Sequence, residues 1–142
     1  MAKMSFDHKA FDKYLKQLDE IGGGATKQAV ENALRVSQKI VAENADKAMA
    51  KHRDTGRTEM AIIDNSPVVW ETAFTASVDV GFDLDNGGLA SIFLMYGTKL
   101  HGQPHIQPDR ELYNAVYGTK TKKEIKAIQE KALIEAIERA MK

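Results

Sequence analysis

The chain has 142 residues, 43% of them hydrophobic and 28% charged, the length and make-up of one ordinary globular domain. Twenty basic residues balance twenty acidic ones, so the formal net charge is zero, which argues against a broad electrostatic grip on nucleic acid. No cysteine is present, which excludes disulfides, thiolate zinc sites and cysteine nucleophiles and suits a reducing cell interior. No run of about 18 apolar residues occurs, so no membrane contact is expected. The opening MAKMSFDHKAFDKYL carries charges throughout and does not read as a signal peptide.

Phe6, Ala10, Phe11, Tyr14, Leu15 and Leu18 recur at helical spacing, which predicts a first helix within residues 1–21 with Ser5 as its N-cap. Gly22-Gly23-Gly24 ends it, since three glycines lack helix propensity and permit any turn. Residues 25–50 carry the strongest helical pattern of the chain. Val30, Leu34, Val41 and Ala45 lie on its apolar face, and no Gly or Pro interrupts it. At about 1.5 Å per residue this is a rod of roughly 39 Å, expected to pack on a sheet. Residues 51–67 change to turn chemistry at Asp54-Thr55-Gly56-Arg57 and Asn65-Ser66-Pro67. A polar, mobile loop is expected there, with Arg53, Thr55, Gly56 and Arg57 at its centre.

Residues 68–98 are read mainly as strands. Trp70, Thr72, Phe74, Ala76, Val78 and Val80 alternate with polar positions, which predicts a half-buried strand or strand pair. Asn86-Gly87 predicts a hairpin turn. Leu89 to Tyr96 is nearly all apolar, and periodicity leaves open whether it is a buried strand or a short buried helix. Gly97-Thr98 stops that run, and a polar loop bracketed by Pro104 and Pro108 follows. Residues 108–142 are expected to be helical. Pro108-Asp109 opens one helix, Gly118-Thr119 breaks it, and Thr121 with Glu124 forms the capping box of the last. The order predicts a single α+β domain, with a long helix near the N-terminus on a small antiparallel sheet and helices at the C-terminus.

Constellations that carry chemistry are scarce. His101 and His105 are four apart, but Gly102 and Pro104 between them oppose the helix that would aim both at one metal. Asp83, Asp85, Asn86 and Gly87 resemble a calcium loop until the twelfth position, where Leu94 stands in place of the acidic ligand. The glycine triplet lacks Walker spacing. The serines sit in no nucleophile elbow. No catalytic residue, metal or cofactor is expected, and the chain does not read as an enzyme. Lys120, Lys122, Lys123 and Lys126 cluster, as a solvated helix start or a local contact to DNA.

The ordered set Thr55-Gly56-Arg57, Met95-Tyr96-Gly97-Thr98 and Pro104-His105-Ile106-Gln107-Pro108 follows a long helix. In this the chain resembles the phage tail-component family of head–tail joining, or tail completion, proteins from long non-contractile-tailed phages and prophages. Met95 stands where that family prefers Glu, His105 replaces its usual Phe, Asp109 its usual Ala, and Thr58 its common Leu. The resemblance implies a non-enzymatic virion subunit of the neck or tail, assembled in the host cytoplasm. It implies a self-assembled ring of six subunits between connector or stopper and tail tube, with DNA passing through the lumen. A tail terminator capping the tube is the nearest alternative, and a small non-phage regulatory binding module the alternative of another class.

The residues themselves place the contact surface. An aromatic residue and a glycine end the apolar run, and two prolines stiffen the loop. Tyr96, Gly97, Thr98, Pro104, Ile106 and Pro108 are therefore the expected subunit or partner contact. The opposing reading has Tyr96 and Ile106 closing the domain's own core.

Overall fold

The computed structural model describes residues 2–52, 56–72, 75–100 and 102–141. The chain runs β1 (Ala2–Ser5), α1 (Asp12–Ile21), α2 (Ala25–Met49), α3 (Arg57–Met60), β2 (Val69–Thr72), β3 (Thr75–Val80), α4 (Ala90–Tyr96), β4 (Thr98–Leu100), β5 (Gln103–Ile106), α5 (Arg110–Tyr117) and α6 (Thr119–Ala140). Short 3-10 turns cover Ala50–His52 and Leu84–Asn86. This is the α+β class expected, with a three-stranded antiparallel sheet of order β1-β3-β2 and a separate β4-β5 hairpin.

The rod anticipated over residues 25–50 is α2, and it is the centre of the molecule. Val30, Ala33, Leu34, Val41 and Ala45 are wholly buried. The sheet covers only part of that face, through β3; α6 lies along it and α5 also packs there. The alanines at 29, 33, 45 and 48 keep side chains short enough for these close approaches. Leu112, Ala115 and Val116 of α5 and Ala132 and Leu133 of α6 complete one contiguous core with Ala76, Val78 and Val80 of β3. Gln38, buried on the same helix, donates from Nε2 to Ser66 Oγ at 2.6 Å and to the Asp79 carbonyl at 2.7 Å. A buried amide without such partners would lose about 1–3 kcal/mol.

Several boundaries differ from the sequence reading. The N-terminus is not helical from Ser5: Ala2 to Ser5 pair with Val80 to Ser77. Met4 and Phe6 are buried while Lys3 and Ser5 are exposed, a period of two that the free edge of β3 captures. Helix α1 therefore starts only at Asp12. The glycine triplet behaves as expected, with φ of +77°, +66° and +78° at Gly22, Gly23 and Gly24.

The segment expected to be a loop over 51–67 carries α3 and a bridge from Ile62 to Phe82. Backbone bonds Ile63 N to Gly81 O and Asp83 N to Ala61 O, both 2.8 Å, fasten it to the end of β3. Gly56 precedes α3 and Arg57 is its first residue; Arg53 and Thr55 lie outside the described residues. Asn86-Gly87 does not form a hairpin between strands. Asp83 caps a 3-10 turn there, accepting from Asp85 N at 3.1 Å and from Asn86 Nδ2 at 2.6 Å, and the chain enters α4. Strand β2 pairs antiparallel with β3 instead, Val69 opposite Ser77 and Trp70 opposite Ala76, and Phe74 lies outside the described residues.

Residues 90–96, grouped among the strands, are helix α4, and the polar loop after them is the β4-β5 hairpin. The capping box at Thr121 is also absent. Helix α6 begins at Thr119, and the Thr121 hydroxyl donates backwards to the Asn114 carbonyl at 2.6 Å, tying α6 to α5 across Gly118.

Candidate assembly interface

The candidate surface is built where α4, the β4-β5 hairpin and α5 meet. Ser91 and Met95 turn inward from α4, whereas Leu89 before it and Phe93 and Tyr96 along it turn outward. These three are 53%, 48% and 60% exposed, at spacings of four and three residues that stack them on one helical stripe. Tyr96 meets Tyr113 of α5 edge to face at 5.8 Å, and Tyr113 meets Tyr117 at 5.1 Å. Burial pushes the Tyr117 phenol up from its ordinary range, and the neighbouring Tyr96 and Tyr113 push it the same way. The result is a strip of aromatic and aliphatic groups left facing solvent.

Gly97 works inward. Its φ of +76° and ψ of 171° belong to a region essentially reserved for glycine. A Cβ there would lie 2.5 Å from the Ile106 carbonyl oxygen and 3.0 Å from Pro108 Cδ. The glycine thus lets the backbone leaving α4 cross directly under the strand returning from the hairpin. Thr98 pairs with Ile106, and Pro104 sits opposite Lys99. Asp109 N donates to the Leu94 carbonyl at 2.8 Å and closes the unit. The six expected contact residues therefore divide. Tyr96 lies on the exposed strip and Pro108 is exposed. Gly97 and Thr98 hold the hairpin's base, and half-buried Ile106 lines a cleft of about 670 Å³ with Met49, Leu94 and Phe93. The side chains of Pro104 and His105, and all of His101, lie outside the description.

One polar group is fixed beside this unit. Asp109, with a side chain only 8% exposed, accepts from Leu112 N at 3.1 Å as the N-cap of α5. His52 Nε2 lies 2.5 Å from its Oδ2, and Lys51 Nζ 3.2 Å from the same oxygen. Burial pushes the Asp109 carboxyl up, but the bonds from His52, Leu112 N and Lys51 outweigh it and hold it below its ordinary value. Lys51 also reaches Glu111 at 3.2 Å; its bonds to Glu111 and Asp109 raise its pKa. The cluster pins the turn after α2 to the start of α5. Among the described residues no group of three acidic or histidine side chains could hold a metal ion.

Leu89, Phe93 and Tyr113 were missed by sequence reading, which left 89–96 undecided between strand and helix. The helical spacing of Leu89, Phe93 and Tyr96 was the available signal. The His52–Asp109 pair, 57 positions apart, had none. No family model, curated protein or solved structure matches the chain. Among the described residues no helix is long and apolar enough to cross a membrane.

Proposed function

We propose that the chain is a structural virion protein of a tailed phage, a ring-forming head–tail joining or tail completion subunit, and not an enzyme. The observation that carries assembly is the strip of Leu89, Phe93, Tyr96 and Tyr113. Contiguous exposed apolar surface of this kind marks an interaction site, and tyrosine and phenylalanine are enriched in interfaces. The phage assignment rests on the ordered Thr-Gly, Tyr-Gly-Thr and Pro-x-x-x-Pro motifs. The role of Gly97 beneath Ile106 and Pro108 gives the last two a shared physical reason: the glycine admits the strand that the prolines lead back to α5. In this reading the partners are copies of the chain, most simply six in a ring, and the connector and tail-tube side of the particle.

Because Gly97 serves the fold, the clean test spares it. Phe93→Ala together with Tyr96→Ala is expected to keep the wild-type circular dichroism spectrum, to abolish rings in negative-stain images and to lose tail joining in a phage complementation assay. Intact rings from a folded double variant would overturn the interface.

A further inference from the structure

A second surface has the opposite chemistry. Lys120, Lys122, Lys123 and Lys126 occupy the first two turns of α6, and all four are exposed. At about 100° per residue they fall within an arc of roughly 160°. Thr121, Gln129, Ala132 and Leu133 of the same helix turn inward to the core. Among the described residues none of the four lysines makes an ion pair with a side chain. Glu124 is the one acid within the run, and Glu111 nearby is engaged by Lys51.

Two electrostatic costs coincide here. Lys120 with Lys123, Lys123 with Lys126 and Lys122 with Lys126 are like charges three or four residues apart, each opposing helix formation. They also stand at the end of α6 where the helix dipole favours anions, and no acid occupies its first turn. Glu124 and Glu130, four residues after Lys120 and Lys126, offset that cost only in part, so the run is a local excess of positive charge on a chain of zero net charge.

We infer that the lysine face of α6 binds the phosphate backbone of duplex nucleic acid, without reading sequence. Lysine is depleted from protein interfaces, whereas phosphate contacts take it as a point charge. A lipid surface is disfavoured, because the apolar side of this helix is already buried against α2 and cannot enter a bilayer. The contact is weak and local, as four charges on a neutral chain dictate. It concerns the single subunit and does not depend on ring formation.

The test is fluorescence anisotropy of the purified chain with a short labelled duplex of arbitrary sequence. Four phosphate contacts give a slope of log K against log salt of about −3.6, so affinity falls by three to four decades between about 20 and 200 mM salt. Replacing all four lysines by glutamine should remove most of that slope, and Lys123→Gln with Lys126→Gln alone should reduce it by about 1.8. Thermal melting should show both variants folded and no less stable. No binding near 20 mM salt, or an unchanged slope in the folded variants, overturns the inference. Preferential binding of poly-glutamate over the duplex overturns it too and points to an acidic protein. Absence of rings from the wild-type chain would defeat the assembly reading and leave this measurement untouched.

Discussion

Two apolar stripes at helical spacing meet different fates in this molecule. On α2, Val30, Leu34, Val41 and Ala45 are wholly covered by α5, α6 and β3. At the start of α4 and along it, Leu89, Phe93 and Tyr96 have the same kind of spacing and remain half exposed. Length accounts for much of the difference. A helix of 25 residues can be enclosed by several elements at once, whereas one of seven buries only Ser91 and Met95 and, among the described residues, leaves its other side exposed. An apolar stripe thus identifies a surface that needs a partner; whether the partner is the same chain or another depends on what the fold has left to cover it.

The sharpest way to break the comparison is in the rod. Leu34→Ala should destabilise the subunit by about 2–5 kcal/mol, read as a lower denaturation midpoint. An unchanged midpoint would mean that the α2 stripe is not the core. Next is the hinge between the two regions. Gly97→Ala should cost about 1–3 kcal/mol from its backbone region alone, with more from the contact to the Ile106 carbonyl. Urea unfolding would measure it, and a neutral outcome would contradict the close crossing under the hairpin.

Asp109→Ala removes the N-cap of α5 and should cost about 0.5–2 kcal/mol. The same carboxylate carries a pH signature. Its folded pKa lies below its unfolded one, so its stabilisation is complete above the unfolded value and is lost as pH falls through the folded one. The variant should therefore lose less stability than the wild type on acidification in that range. On the exposed stripe, Phe93→Ala with Tyr96→Ala should change monomer stability by no more than about 0.5 kcal/mol while abolishing association. A large loss of stability there would assign the stripe to the subunit's own core.

The smallest effect concerns His8, packed against Phe6 at 5.1 Å and Trp70 at 6.2 Å with a buried Nε2 that has no hydrogen-bond partner among the described residues. Burial lowers its pKa, opposed by Asp7. Its neutral form is favoured in the fold, so stability is full above the unfolded value near 6.5 and declines as pH falls towards the lower folded value. A His8→Leu variant should melt with less pH dependence between about 5 and 7.5 than the wild type. Parallel curves would remove His8 from the account.

The long helix, the strand alternation at Ala76, Val78 and Val80, the glycine turn after α1 and the Asp109 start of α5 were legible because each is written in local spacing or in turn chemistry. That Tyr96 sits on a surface strip, and Gly97 beneath a returning strand, was not. Both depend on where residues nine or more positions apart come to lie. The same holds for β1, whose few residues read as a helix start until β3 offers an open edge. It holds for the His52–Asp109 pair, which no local pattern encodes. By itself the sequence determined which segments have apolar faces and where the backbone must turn, since these follow from side-chain period and glycine freedom. Only the tertiary structure decided which of those faces found cover, because burial is a property of neighbours and not of spacing.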